Sequence, residues 1–121
     1  MAALALLLLH SADEPETAVA ALRTASAAAT RPGSPRPVLW LDAEGVRLAA
    51  RGVAEALSGG GRPDCLALLR AFTAGGGRIR VSRDAWRDRD FQDDALVEGA
   101  ELVGPEGLAD LAHDGYAFVS W

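Results

Sequence analysis

Five short segments with the pattern of β-strands, separated by stretches of helical character, constrain the fold of this chain more than any other feature. When strands and helices alternate, each helix returns the chain to the starting edge of the sheet, so neighbouring strands run parallel. The sequence therefore predicts an α/β fold with a mostly parallel five-stranded sheet. The predicted strands are Ala3–His10, Val38–Asp42, Arg78–Ser82, Ala100–Val103 and Tyr116–Trp121.

The first predicted strand is apolar on both faces, which is typical of a strand inside a sheet covered by helices. No cation precedes it, since the first arginine is Arg23, and an acidic loop follows at once. It is also too short to span a membrane. We interpret it as a buried strand and not as a signal peptide. By contrast, Arg78–Ser82 alternates like an outer strand with one solvated face.

Helix-start and helix-stop residues delimit the segments between the strands. Prolines and acidic residues favour helix starts, and glycines favour helix ends. Gly45 and Gly52 weaken the second helical segment and could divide it into a turn and a helix. The predicted helical segments are Thr17–Ala29, Ala43–Leu57, a helix from Pro63 and Asp64 to the glycines at 75–77, a short one at Asp84–Phe91, and Pro105–His113, with a loop at Ser58–Arg62.

Length and charge set limits on the kind of protein. A chain of 121 residues, half of them apolar, is expected to form one domain over 1–121. The net charge of −5 argues against nucleic acid as a partner. Arginines are frequent between positions 78 and 89, but aspartates are interleaved with them, which indicates a mixed solvated segment.

Cys65 is the only cysteine, so the chain cannot form an internal disulfide and has no cysteine-based zinc site. A single thiol suits a reducing compartment, and we expect a cytoplasmic protein without metal or cofactor. The thiol lies in the predicted first turn of a helix, where the helix dipole can lower its pKa. Cys65 is therefore a candidate sulfur-carrying residue, and the alternative is a small side chain packed in the core.

Polar residues follow three of the predicted strands: His10, Ser11, Asp42, Ser82 and Arg83. In a parallel sheet these positions meet at the carboxyl edge, where small ligands usually bind. The set offers a base, hydroxyls, a carboxylate and a cation, which suits a small anion or a nucleotide-like ligand. The alternative is that these residues only end the strands. No Gly-x-Ser-x-Gly motif surrounds either serine, which argues against a hydrolase.

Several segments further along the chain carry a family resemblance. They are the acidic strand end with Gly-Val shortly after it (Asp42–Val46), the glycine-led strand Gly76–Ser82, Ala85-Trp86, Arg89–Phe91 and Leu96–Gly104. In order and spacing, over nearly the whole chain, they resemble the DsrE/DsrF-like family of small sulfur-relay proteins. The resemblance implies a three-layer α/β/α domain that forms dimers, trimers or hexamers.

The resemblance also implies a persulfide-carrying cysteine just after the glycine-led strand. This sequence has Ser82 at that position. A serine hydroxyl has no accessible anion near neutral pH and cannot hold a persulfide. The sequence thus favours a DsrE-like protein without catalysis over an enzyme: an oligomeric small-ligand or protein-interaction module linked to sulfur metabolism. The alternatives are a sulfur carrier that uses Cys65 and a structural subunit whose sulfur-relay partner supplies the cysteine.

Trp121 is one of three tryptophans in a chain with only 6% aromatic residues. It ends the last predicted strand, where the core of one copy offers little room for a large side chain. Tryptophan is enriched at protein interfaces. Together with the resemblance, this predicts a homo-oligomer that weakens when Trp121 is removed.

Overall fold

The computed structural model describes residues 2–58 and 64–121, and its sheet has the predicted composition. Most of the predicted loop at 58–62, and Pro63, lie outside the described residues. The strands are β1 (Leu4–Leu8), β2 (Val38–Leu41), β3 (Arg78–Ser82), β4 (Ala100–Val103) and β5 (Ala117–Ser120). Each of the four pairings between them is parallel, and the strand order is β4-β3-β2-β1-β5. The predicted α/β fold is confirmed.

The helices begin and end close to the predicted positions. They are α1 (Pro15–Thr30), α2 (Val53–Leu57), α3 (Cys65–Ala74), α4 (Arg83–Asp88) and α5 (Pro105–His113), with 3-10 helices at Ala43–Ala49 and Asp93–Ala95. The second predicted helix is divided into a 3-10 helix and α2. Gly52 lies at the division with φ +88°, a conformation that glycine adopts without steric cost.

The direction of the connections decides which face of the sheet each helix covers. From β1 to β4 the chain advances across the sheet in one direction, so right-handed crossovers place α1 and α3 on the same face. We call this the closed face. The connection from β4 to β5 returns in the opposite direction and places α5 on the other face, which we call the open face. Helices therefore flank the sheet on both sides, in three layers.

The main hydrophobic core lies between the closed face and α1 and α3. Alternate strand residues such as Leu6, Leu39 and Val81 are fully buried there, together with Leu22 of α1 and Phe72 of α3. The two helices pack closely at their C-terminal ends, where Gly75 lies against Ala29. A Cβ on Gly75 would lie 2.5 Å from the Ala29 carbonyl oxygen, so this approach requires glycine.

Among the described helices, α5 alone covers the open face. Gly107 lies over Trp40 and Val103, and a Cβ at this glycine would lie 2.2 Å from a Val103 methyl carbon. Trp40 is buried by this contact, but no residue of α5 is itself buried, and all four residues of β5 are exposed.

One strand position differs from the sequence expectation. β3 was expected as an outer strand, but it lies between β2 and β4. Its alternating pattern instead reflects the partial cover of the open face, where Arg80 reaches Glu101 of β4 with an N–O distance of 2.9 Å. A strand can have one solvated face without being at the edge of its sheet.

Candidate functional site

The ends of β1, β2 and β3 lie together at the carboxyl edge of the sheet. Leu8, Leu41 and Val81 are in register across the three strands, so the residues that follow them are neighbours. The backbone N–H of Asp42 donates to the Leu8 carbonyl at 3.1 Å. Three of the candidate residues, His10, Asp42 and Ser82, therefore follow adjacent strand ends.

His10 is held by a residue that the sequence analysis did not single out. Its Nδ1 lies 2.8 Å from Oδ2 of Asp13, and the other oxygen of Asp13 accepts the N–H of Ser11 at 2.8 Å. These two hydrogen bonds lower the pKa of the Asp13 carboxyl below its ordinary value. The signal in the sequence is an aspartate three residues after a histidine, near enough for a turn between them to bring the two side chains together.

Ser11 is fully buried beside His10. Its hydroxyl oxygen has no hydrogen-bond partner among the described residues. A buried hydroxyl without a partner costs about 1–3 kcal/mol. Ser11 is thus a locally unfavourable feature of the predicted ligand edge.

Asp42 is occupied by contacts within its own segment. One carboxylate oxygen accepts the N–H of Ala43 at 2.8 Å, and the other accepts the indole N–H of Trp40 at 3.2 Å. Ala43 has φ +47°, which is strained for a residue with a Cβ. Asp42 therefore begins the 3-10 helix Ala43–Ala49 and holds this turn in place.

Ser82 is also occupied by the fold. Its hydroxyl oxygen accepts the N–H of Ala85 at 3.3 Å, which makes Ser82 the N-cap of α4. Arg83 is the first residue of α4 and is partly exposed. The residue at the position that the family resemblance assigns to cysteine is therefore a helix cap.

Cys65 differs from the strand-end residues in its surroundings. It is the first residue of α3, its N–H donates to the Ser58 hydroxyl at 3.1 Å, and its side chain is buried in the closed-face core with Leu69 and Phe72. Asp64 caps the helix by accepting the N–H of Ala67. The structure thus places the thiol in the packed interior.

A second polar cluster lies beside α4, and one of its members, Arg89, belongs to the segment that the sequence predicts to be solvated. Arg89 donates to Glu44 at 3.4 Å and to the Ala85 carbonyl at 3.0 Å, and Arg47 also contacts Glu44. The guanidinium of Arg47 lies 5.7 Å from the centre of the Phe91 ring. These cations lower the pKa of Glu44, with Arg47 as the main cause. The spacing of Glu44 and Arg47 is the sequence signal.

An apolar groove of about 510 Å³ lies on the open face, between α5 and β5. Phe118 and Val119, which border it, have 42% and 41% of their surface exposed. Its lining has no charged side chain and comprises Leu7, Pro105, Leu108, Ala109, Ala112, Phe118, Val119 and Ser120. Exposed apolar surface of this kind is typical of a protein contact.

Neither metal-site nor membrane geometry is found in the part of the chain that the structure describes. Over residues 2–58 and 64–121, no three His, Cys, Asp or Glu side chains are grouped to hold a metal ion. Over the same residues, no helix has both the length and the apolar character needed to cross a bilayer.

The three-layer α/β/α arrangement of this chain is shared with solved structures. Two solved structures show the likeness. The ychN protein from E. coli has a TM-score of 0.84 with 17% sequence identity, and all of both chains is covered. MTH1491 from Methanobacterium thermoautotrophicum, a protein of unknown function, has a TM-score of 0.70 with 17% identity, covering 98% of this chain and 99% of its own.

These similarities concern the fold alone. No protein family and no curated protein sequence matches the chain. Function must therefore be argued from the residues of this chain.

Proposed function

We propose that this chain is a non-catalytic DsrE-like module, linked to sulfur metabolism, that acts by self-association and by binding a small ligand or a protein. The observation that carries the proposal is Ser82. At the position where the resemblance expects a persulfide-carrying cysteine, a serine hydroxyl accepts the Ala85 N–H and caps α4.

The other strand-end groups support a module without covalent chemistry. Both oxygens of Asp42 and both oxygens of Asp13 accept hydrogen bonds from neighbouring residues. A serine nucleophile requires a base within hydrogen-bond reach that accepts its O–H proton. The hydrogen bond described for Ser82 is instead one that its oxygen accepts from the backbone N–H of Ala85. Within the predicted set of His10, Ser11, Asp42, Ser82 and Arg83, the partly exposed cation Arg83 is the member suited to recognising a small anion.

The interaction part of the proposal is supported by the uncharged groove between α5 and β5. A cytoplasmic location is part of the same proposal, because a single cysteine suits a reducing compartment. A partner that supplies the missing cysteine is compatible with this surface.

The alternative function is a sulfur carrier that uses Cys65. Its position as the first residue of α3 favours this function, because the positive end of a helix dipole stabilises a thiolate. Its complete burial opposes this reading, since a carrier must meet a donor enzyme. The non-catalytic module is therefore preferred.

Incubation with a cysteine desulfurase and cysteine separates the two functions. In a carrier, the thiolate attacks the outer sulfur of the donor's persulfide, takes that sulfur, and releases the donor's thiolate. We expect no gain in mass for the native protein or for Cys65→Ser. Ser82→Cys is expected to gain the mass of one sulfur. A one-sulfur gain by the native protein that Cys65→Ser abolishes would establish the carrier instead.

Ligand binding at the strand ends is tested separately with inorganic phosphate and sulfate in a thermal-shift titration. We expect a saturable rise in Tm that is lost in Arg83→Gln. Arg31→Gln, which changes an exposed arginine after α1, is the matched control. An unchanged Tm at all concentrations, or an equal response in both variants, would contradict anion binding at this edge.

A further inference from the structure

The two edges of the sheet are protected unequally. At the β4 edge, Glu101 is a charged residue with 64% of its side chain exposed. The β5 edge, Ala117–Ser120, has four exposed residues and no charge or proline. Natural edge strands carry charged residues or prolines because an unprotected edge pairs readily with another strand. The β5 edge is therefore suited to pairing.

The main-chain hydrogen bonds show which groups of β5 are turned outward. The N–H groups of Ala117 and Trp121 donate to Ala3 and Leu7, each at 2.9 Å. Successive residues of a strand turn their main-chain groups to opposite sides. Phe118 and Ser120 therefore direct their N–H and C=O groups away from β1, to the unpaired edge of the sheet.

We propose that β5 pairs antiparallel with β5 of a second copy of this chain, around a two-fold axis beside Val119. This inference rests on the proposed self-association and adds its interface and register. Phe118 of each copy then lies opposite Ser120 of the other, and each such pair exchanges two main-chain hydrogen bonds. The two sheets become one continuous sheet.

Which residues lie opposite each other follows from the two-fold symmetry and from a main-chain hydrogen bond that Tyr116 already donates. A two-fold axis perpendicular to the sheet places one residue opposite its own copy. If that residue were Phe118, Ser120 would face Tyr116, whose N–H already donates to the Leu111 carbonyl at 3.1 Å. An axis beside Val119 uses only the unpaired groups of Phe118 and Ser120.

The side chains around this axis match without opposing charges. Val119 meets its own copy, and Trp121 lies opposite Ala117, so both tryptophans gain apolar cover. Phe118 and Ser120 alternate to the open side, where the groove lining has no charged side chain, so two copies of a chain with net charge −5 can meet along β5. An uncharged, self-complementary edge favours a second copy over a charged partner.

A disulfide between copies tests the register. Opposite residues at a non-hydrogen-bonded antiparallel site have Cα atoms about 4.5 Å apart, within the range of a disulfide. Under mild oxidation, Val119→Cys is expected to form a covalent dimer with twice the 12.6 kDa mass of the chain. Phe118→Cys is the matched control and is expected to remain largely uncrosslinked, because Phe118 lies opposite Ser120. The native protein, oxidised in parallel, measures any contribution of Cys65.

A second variant tests the hydrogen bonds. Ser120→Pro removes an outward N–H and leaves the bonds between β5 and β1 in place, so light scattering is expected to show a monomer with an unchanged circular dichroism spectrum. A folded variant with the native oligomeric mass would overturn the pairing. Faster crosslinking of Phe118→Cys than of Val119→Cys would also overturn the pairing. The proposed self-association would then remain, through another surface. A native protein that is monomeric would refute self-association and the pairing together.

Discussion

The closed and open faces of the sheet differ in how much of their apolar surface one copy of the chain covers. On the closed face α1 buries six residues, whereas α5 on the open face buries none. The cause is topological, because the crossovers from β1 to β4 advance in one direction and only one connection returns. The closed face therefore contributes most of the burial that stabilises the fold, and the association that we propose would use apolar surface left uncovered at β5.

Two phenylalanines provide the strongest test of this division. Phe72 is fully buried on the closed face, and Phe118 is 42% exposed on the open face. We expect Phe72→Ala to lower the free energy of unfolding by about 3–5 kcal/mol, through lost burial and a cavity. Phe118→Ala is expected to cost about 1 kcal/mol in the dissociated protein, since much of its surface is already solvated.

Denaturant titration at low protein concentration measures both values, and Leu9→Ala, at a residue 37% exposed, is a further surface control. Equal losses for the two phenylalanines would show that the open face contributes as much to folding as the closed face.

Two glycines give the next largest effect. A Cβ on Gly45 would lie 2.1 Å from the Leu8 carbonyl oxygen, which is backbone, whereas a Cβ on Gly107 would meet a Val103 methyl group at 2.2 Å. Backbone cannot yield as a side chain can, so Gly45→Ala is expected to cost about 1–3 kcal/mol or more, and Gly107→Ala less. Thermal unfolding ranks the variants, and the opposite order would mean that α5 is held more rigidly than β1.

The cap at Ser82 is expected to have a smaller effect. Ser82→Ala removes the acceptor for the Ala85 N–H and should lower stability by about 1 kcal/mol. Ser82→Asp retains an acceptor and is expected to recover most of the loss. Denaturant titration checks both, and an unchanged stability in Ser82→Ala would leave the hydroxyl available for another role.

The pH dependence from Asp13 is expected to be the smallest effect. Its pKa is lowered in the folded protein, so its contribution to stability is complete above the ordinary value of 3.8 and is lost as pH falls through the folded pKa. Because Asp13 is exposed, this contribution stays below about 1 kcal/mol. In acid titrations, the stability of Asp13→Asn should fall less than that of the native protein as the pH drops below 3.8, and identical pH profiles would contradict this contribution.

For the candidate site residues, the sequence predicted where they lie relative to the strands but not which contacts they make. His10, Asp42 and Ser82 follow strands, so their common edge could be predicted from alternation. That Asp42 and Ser82 act as helix caps was not predicted, although aspartate and serine directly before a helix are common N-caps. The contact between His10 and Asp13 depends on the conformation of the turn between them, which only the structure shows.

The sequence by itself determined the elements, their parallel direction and the lone thiol, because hydrophobic periodicity and turn residues act over short distances along the chain. Only the tertiary structure decided that β3 lies inside the sheet, that Cys65 is buried, and that β5 is an open edge. Those properties depend on which strands pair and which helices cover them. Such contacts join residues far apart in sequence, and no local pattern encodes them.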